Sequence, residues 1–138
     1  MIRLVLDTNV VLDLLHFRDP GVESLREALR EGRAACIGNS ACRDELAHVL
    51  SYPQFKIPEH EARRILDEYC ALAPPCAAGN AGLPPLPQCR DPDDQKFLEV
   101  AHCGAAVALL TYDRALLKLR RRLAFPVVTP EQWHAGQT

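Results

Sequence analysis

The chain lacks the sequence features of membrane and secreted proteins. No apolar run approaches the roughly 20 residues that a membrane-spanning helix needs. No basic segment followed by an apolar stretch and a cleavage site lies at its start. We therefore predict a cytoplasmic protein without a membrane partner. Its 138 residues, 48% hydrophobic and 25% charged, suit one folded domain, predicted to span residues 1–138.

Zinc knuckles and disulfide frameworks are also disfavoured. None of the six cysteines belongs to a Cys-x-x-Cys pair, and the five histidines show no paired metal-ligand spacing. Cys36, Cys70 and Cys103 lie in or beside apolar segments, where a reduced thiol behaves as a small hydrophobic side chain. The net charge of −2 argues against a generally basic nucleic-acid-binding protein and leaves local patches open.

Short apolar runs alternate with helical patterns along the chain. Four runs are too brief for helices and predict buried strands, at residues 3–6, 34–37, 107–110 and 127–128. The segments between them carry apolar residues at helical spacing, with starts at Asn39–Ser40, Pro58, Pro92 and Pro130 and a stop at Gly32. Because strands separated by helices form right-handed crossovers, we predict a small α/β domain with a mostly parallel sheet flanked by helices.

Residues 74–92 interrupt this alternation. Six of these nineteen residues are proline and two are glycine. Such a composition predicts a loop across the surface, with a short edge strand as an open alternative. The segment is too short to link two domains.

Two aspartates follow predicted strands. Asp7 comes directly after residues 3–6, and Asp113 comes after the run that ends in Leu110-Thr111-Tyr112. In an open parallel sheet, ligands gather at the carboxyl ends of the strands, so the two carboxylates are expected to converge. Helix capping is the alternative for each, because aspartate also accepts hydrogen bonds from a helix N-terminus.

Glu45 lies within the helix predicted to begin near Ser40. Cys42 and Val49 are its neighbours at i−3 and i+4, so Glu45 borders the apolar stripe. A carboxylate there needs a partner, since an unpaired desolvated charge is costly. A shared acidic site and a surface salt bridge both remain open, whereas Asp44 points about 100° away and is expected to be solvated.

The block Asp91-Pro92-Asp93-Asp94 contains three competing carboxylates. Asp91 before a proline is typical of an N-cap, and acidic residues in the first turn complement the helix dipole. Asp94 has apolar residues at i+3, i+4 and i+7 and is therefore expected to point inward. Asp91 and Asp93 stay open as competitors for the same role.

Convergence of Asp7, Glu45, Asp94 and Asp113 would crowd like charges into one cleft. The pKa of at least one carboxyl would then rise unless a cation entered. Oxygen-only ligands suit Mg²⁺ or Mn²⁺ rather than zinc. In phosphodiester hydrolysis such ions generate a hydroxide-like nucleophile and stabilise charge on the leaving oxygen. These four are the candidate catalytic and metal-binding residues.

Four short blocks follow one another along the chain: residues 5–10 (VLDTNV), 43–46 (RDEL), 91–98 (DPDDQKFL) and 110–113 (LTYD). Together and in this order they resemble the PIN-domain family, and within it the bacterial branch of toxins of toxin–antitoxin systems. The resemblance covers nearly the whole chain.

The resemblance implies a Mg²⁺- or Mn²⁺-dependent endoribonuclease on a Rossmann-like α/β/α sandwich. The family's acidic ligands match, in order, Asp7, Glu45, Asp94 and Asp113. Asn9 and Thr111 match small polar positions that help to orient the site. The resemblance also implies a homodimer and a cognate antitoxin protein that inserts a segment into the active-site groove.

The chain departs from the family's pattern at two positions. The family often has glycine where Tyr112 stands and an acidic residue where Ala115 stands. The second departure is expected to reduce metal binding without abolishing it. The role of Tyr112, in packing or in base stacking, stays open, whereas Trp133 is expected to be a packing anchor.

A basic run with no acidic residue follows the fourth block, comprising Arg114, Lys118, Arg120, Arg121 and Arg122. Because it begins directly after a candidate metal ligand, it is a candidate contact for an RNA backbone. A solvated helix face is the alternative. Lys96, near the third block, is likewise either a phosphate contact or a surface residue.

Other functions remain to be weighed against a ribonuclease. A non-catalytic nucleic-acid-binding or regulatory module on the same fold is the open alternative. A phosphatase with an aspartyl nucleophile after the first strand needs a second aspartate two residues on, where Asn9 stands. Flap-cleaving DNA nucleases carry long insertions, for which 138 residues leave no room.

Overall fold

Four parallel strands form the sheet in a computed structural model that describes residues 2–74 and 86–136. The strands are β1 (Ile2–Leu6), β2 (Ala34–Cys36), β3 (Ala108–Leu110) and β4 (Val127–Val128). Their order is β2-β1-β3-β4, and each neighbouring pair is parallel. The loop or edge strand predicted for residues 74–92 lies largely outside the described residues, as does Cys76.

The central strand β1 is buried on both faces. Leu4 pairs with Cys36 in β2, and Leu6 pairs with Leu110 in β3. Leu4, Val5 and Leu6 are all buried. Successive strand residues point to opposite faces, so their burial means that helices cover both sides of the sheet. The predicted α/β sandwich is confirmed, with a sheet that is parallel throughout the described ranges.

Within the described residues, six α-helices lie between the strands and a seventh follows β4. They are α1 (Thr8–Leu12), α2 (Glu23–Arg30), α3 (Ser40–Leu50), α4 (Glu59–Leu72), α5 (Gln95–Cys103), α6 (Arg114–Leu117) and α7 (Pro130–Gly136). A π-helical turn continues α1 over Asp13–Phe17. Short 3-10 turns lie at Pro20–Val22, Pro53–Phe55, Pro92–Asp94 and Lys118–Arg122.

The local start and stop signals act as their chemistry requires. The Asn39 side-chain oxygen accepts a hydrogen bond from the backbone N–H of Cys42 at 2.9 Å and so caps α3. Gly32, with φ of 77°, follows the end of α2 in the left-handed region that glycine adopts without strain. The prolines at 58 and 92 precede or open helical turns, as predicted.

Two of the thiols and Trp133 lie in the core. Cys36 and Cys42 are buried free thiols, and burial raises the pKa of Cys36 to about 12 and that of Cys42 to about 11. Trp133 is buried, which confirms its predicted packing role. Among the helices of the described residues, none is long and apolar enough to cross a membrane.

Candidate active site

The carboxyl ends of β1 and β3 bring two of the candidate ligands to one edge of the sheet. The pairing of Leu6 with Leu110 continues into Asp7, whose backbone N–H donates to the Leu110 carbonyl at 3.0 Å. Asp7 is the N-cap residue directly before α1, and Asp113 is the N-cap residue directly before α6. Because the strands are parallel and in register, residues that follow them lie side by side.

Thr111 links these two strand ends. Its hydroxyl donates to Asp7 Oδ2 at 2.7 Å and accepts from the backbone N–H of Asp113 at 3.0 Å. Thr111 is 0% exposed and Asp7 is 6% exposed. Burial raises the pKa of Asp7, the charges of Glu45 and Asp113 add to this effect, and the Thr111 hydrogen bond opposes it. The threonine thus orients a buried carboxylate and favours its ionised form.

The block of three aspartates separates into one half-buried and two exposed carboxylates. Asp91 caps the 3-10 turn by accepting from the backbone N–H of Asp93 at 3.0 Å, and both of these residues are exposed. Asp94 is half-buried. Burial, the charge of Asp7, and the hydrogen bond and charge of Asp113 raise its pKa to about 7. Among the three, Asp94 is therefore the residue that interacts most closely with the strand-end aspartates.

Asp113 both caps a helix and belongs to the acidic cluster. One of its carboxylate oxygens accepts from the backbone N–H of Ala115 at 2.8 Å, which caps α6. The same side chain raises the pKa values of Asp7 and Asp94 through its negative charge. The capping and shared-site interpretations of this residue are therefore compatible.

Glu45 is engaged by two donors at the margin of the cluster. The Thr8 hydroxyl donates to Glu45 Oε2, and the Lys96 ammonium lies 2.8 Å from Oε1. The side chain of Lys96 is 14% exposed and that of Glu45 22% exposed. The neighbouring Asp44 is 70% exposed, beside Arg43 at 3.4 Å, as expected of a solvated carboxylate.

Sequence reasoning missed two contributors to this site. The sequence predicted Lys96 to be either a phosphate contact or a surface residue. In the structure the Lys96 ammonium instead forms an ion pair with Glu45 inside the site. Sequence reasoning matched Asn9 and Thr111 to positions that orient the site. Thr111 does hydrogen-bond Asp7, whereas the Asn9 side chain is exposed and has no hydrogen bond within the described ranges. Thr8, one position earlier, is buried and binds Glu45. Adjacency to Asp7 was the only signal that could have singled out Thr8.

Tyr112 is tied to the end of α1. Its ring is half-buried and packs against the hydrophobic core. Burial raises the pKa of Asp13, and the nearby Tyr112 phenol opposes that rise. This contact favours the packing interpretation of Tyr112 over base stacking.

The donor chemistry of the cluster fits a hard divalent cation. Asp7, Asp94 and Asp113 supply only oxygen atoms. Burial and the negative charge of Asp113 raise the pKa values of Asp7 and Asp94, and a bound cation would lower them. Within residues 2–74 and 86–136, however, no three acidic, histidine or cysteine side chains already stand in a metal-ligating arrangement. Metal binding would therefore require the carboxylates to move closer together than they stand in the described structure.

A basic groove begins next to Asp113. A volume of about 370 Å³ is lined by Arg114, Leu117, Lys118, Arg120 and Arg121. The cationic residues of the run are exposed, and none of them forms an ion pair in the described part of the chain. The helix predicted here is a single turn of α6 followed by a 3-10 turn. Adjacent like charges without an acidic partner at i+4 disfavour a longer helix.

Comparison with known proteins agrees with this arrangement. A family model described as PIN domain matches residues 3–115, which include all four candidate ligands. The chain therefore belongs to the PIN domain family. Members of this family are generally metal-dependent nucleases. No curated protein and no solved structure matches the chain significantly.

Proposed function

We propose that the chain is an endoribonuclease that uses Mg²⁺ or Mn²⁺ bound by its acidic cluster. The observation that carries this proposal is the placement of Asp7 and Asp113 at neighbouring strand ends, joined by the Thr111 hydroxyl, with Asp94 near enough for the charges of both to raise its pKa. Aspartates that serve only as helix caps are not expected to lie close enough together for their negative charges to repel one another. Glu45 completes the acidic set, at its margin.

The protein's own residues would hold the reacting groups in place. If a divalent ion were held there by Asp7, Asp94 and Asp113, it would supply Lewis-acid activation of a water and stabilisation of charge on the leaving oxygen. Thr111 fixes the Asp7 carboxylate through its 2.7 Å hydrogen bond, and Thr8 fixes Glu45 from the other side. Without a cation the pKa of Asp94 is raised to about 7, and a divalent ion bound there would lower it and favour the ionised carboxylate.

The basic groove supports a polyanionic substrate. Arg114 is adjacent to Asp113 in sequence, and the exposed cations of the groove have no ion-pair partners within the described ranges to displace. Phosphates held there would lead the backbone toward the acidic cluster. The choice of RNA over DNA rests on the resemblance of the four sequence blocks to bacterial toxins.

The same resemblance supports the biological setting that we propose. The chain would be the cytoplasmic toxin of a toxin–antitoxin pair and would act as a homodimer. A cognate antitoxin protein would insert a segment into the active-site groove. Because the cluster is acidic, an arginine of that segment is the side chain best suited to enter it.

The decisive experiment is cleavage of a pool of single-stranded and structured RNAs with Mn²⁺, Mg²⁺ or EDTA. We expect metal-dependent cleavage by the wild type, none by Asp7→Asn, and full cleavage by Asp93→Asn, a matched removal of an exposed carboxylate. Retained cleavage in Asp7→Asn would exclude Asp7 from the mechanism.

A non-catalytic RNA-binding module is the second candidate. The observation in its favour is that Lys96 already occupies one oxygen of Glu45, a candidate metal ligand. RNA binding without cleavage by the folded wild type in Mn²⁺ would support this alternative.

A further inference from the structure

Lys96 lies inside the candidate site with its ammonium group surrounded by partners. It is the second residue of α5 and follows Asp94 by two positions. The ammonium pairs with Glu45 Oε1 at 2.8 Å, donates to the backbone carbonyl of Asp93 and lies 5.2 Å from the centre of the Phe97 ring. Phe97 itself is buried. Three kinds of contact thus hold one cation in place.

Glu45 is correspondingly saturated on both oxygens. Thr8 donates to one oxygen and Lys96 to the other. The Lys96 side chain is 14% exposed and the Glu45 side chain 22% exposed. Separating the two charges is therefore costly, because each would be left partly desolvated and without its partner. Asp7, Asp94 and Asp113 have no ion pair with a lysine or arginine within the described residues.

The charges of the site follow from these contacts. Four carboxylates and one ammonium give it a formal charge of −3 when all are ionised. One divalent ion leaves a charge of −1, whereas a second would make the site positive and would have to compete with Lys96 for Glu45. The charges therefore favour one divalent ion, bound by the three carboxylates that have no lysine or arginine partner within the described residues.

We propose that Lys96 takes the place of a second divalent ion by holding Glu45, so that Asp7, Asp94 and Asp113 bind a single divalent ion. This inference rests on the proposed function, since it assumes that the cluster binds metal. Lys96 is here a positioning residue: it sets which carboxylates are free to coordinate.

A titration with Mn²⁺, in which electron paramagnetic resonance measures the free ion, tests this inference without any substrate. We expect one Mn²⁺ per wild-type chain. Lys96→Met should bind two, or bind the first about tenfold more tightly, as expected when one nearby positive charge is removed. Lys96→Arg keeps the charge and should still bind one. Lys56→Met removes an exposed lysine elsewhere and should change nothing.

Variants of the carboxylates separate ligands from non-ligands. Glu45→Gln should keep one Mn²⁺, whereas Asp94→Asn should lose it. If Lys96→Met does not fold, the double variant Glu45→Gln/Lys96→Met removes both charges of the pair. That double variant should bind one Mn²⁺ with an affinity within about threefold of the wild type, since no ligand is lost and the net charge is kept.

The outcomes that overturn the inference differ from those that overturn the function. Two Mn²⁺ ions in the wild type, unchanged binding in Lys96→Met, or loss of the ion in Glu45→Gln would each show that Lys96 does not replace an ion, while the nuclease proposal stands. A folded wild type that binds no Mn²⁺ would overturn both proposals together.

Discussion

Replacing Thr111 with valine removes a hydroxyl that makes two hydrogen bonds, one buried and one partly buried. That hydroxyl donates to Asp7 Oδ2 at 2.7 Å and accepts from the Asp113 backbone N–H at 3.0 Å. A hydrogen bond to a charged group contributes about 1.5–3 kcal/mol, and an orphaned buried N–H costs about 1–3 kcal/mol. The additional apolar surface of valine offsets about 1 kcal/mol. We therefore expect Thr111→Val to lower the free energy of unfolding by about 3 kcal/mol at pH 8.

The pH dependence of that loss identifies its cause. Because the hydroxyl favours ionised Asp7, whose pKa is already raised by burial, the loss should be larger at pH 8 than at pH 5. Urea unfolding at both pH values measures it, provided that the slope with denaturant is unchanged. Thr111→Ser keeps the hydroxyl and loses one methyl group, so it should cost about 1 kcal/mol at either pH. A loss in Thr111→Val below about 0.5 kcal/mol, or one equal at both pH values, would refute the reasoning.

Two further predictions concern charge. In the folded state the pKa of Asp94 is raised to about 7, so the folded protein binds more protons than the unfolded protein between pH 4 and 7. The free energy of unfolding of the metal-free protein should therefore fall as the pH rises through that range. Solvent screening of this half-exposed carboxylate limits the change in the free energy of unfolding to about 1–2 kcal/mol. Saturating Mn²⁺ should reverse the direction of the pH dependence. A stability of the metal-free protein that stays constant from pH 5 to 8 in thermal unfolding would contradict the prediction. Glu61, whose pKa is lowered to about 2 chiefly by its hydrogen bond to Arg64, acts with the opposite sign and mainly below this window. Replacing Arg120, Arg121 and Arg122 with glutamine should weaken binding of single-stranded RNA and reduce the slope of log affinity against log salt by about 2. An unchanged slope would mean that these arginines are only a solvated surface.

Local sequence chemistry was enough to predict most of the framework. The strand at residues 34–37 and the cap at Asn39 depend on neighbours within a few positions, and both are present with small shifts of boundary. The inward direction of Asp94 followed from the apolar residues one and two turns later in its helix. The short α6 was harder to predict, because its apolar spacing favours a longer helix and the adjacent cations oppose it.

Pairings between distant segments could not be read from local patterns. The hydrogen bond between Thr111 and Asp7 joins residues 104 positions apart, and that between Thr8 and Glu45 spans 37. Each depends on the strand order, which places β1 between β2 and β3. A salt bridge for Glu45 was one of two open interpretations, but Lys96 as its partner was not foreseen.

The sequence by itself determined the kind of fold, the strand ends and the presence of four carboxylates in family order, because these depend on side-chain type and short-range periodicity. Only the tertiary structure decided which of those carboxylates are free and which is paired. Burial and Coulomb interaction act through space, so the ammonium of Lys96 and the hydroxyl of Thr8 could be assigned to Glu45 only once the strands and helices had been brought together.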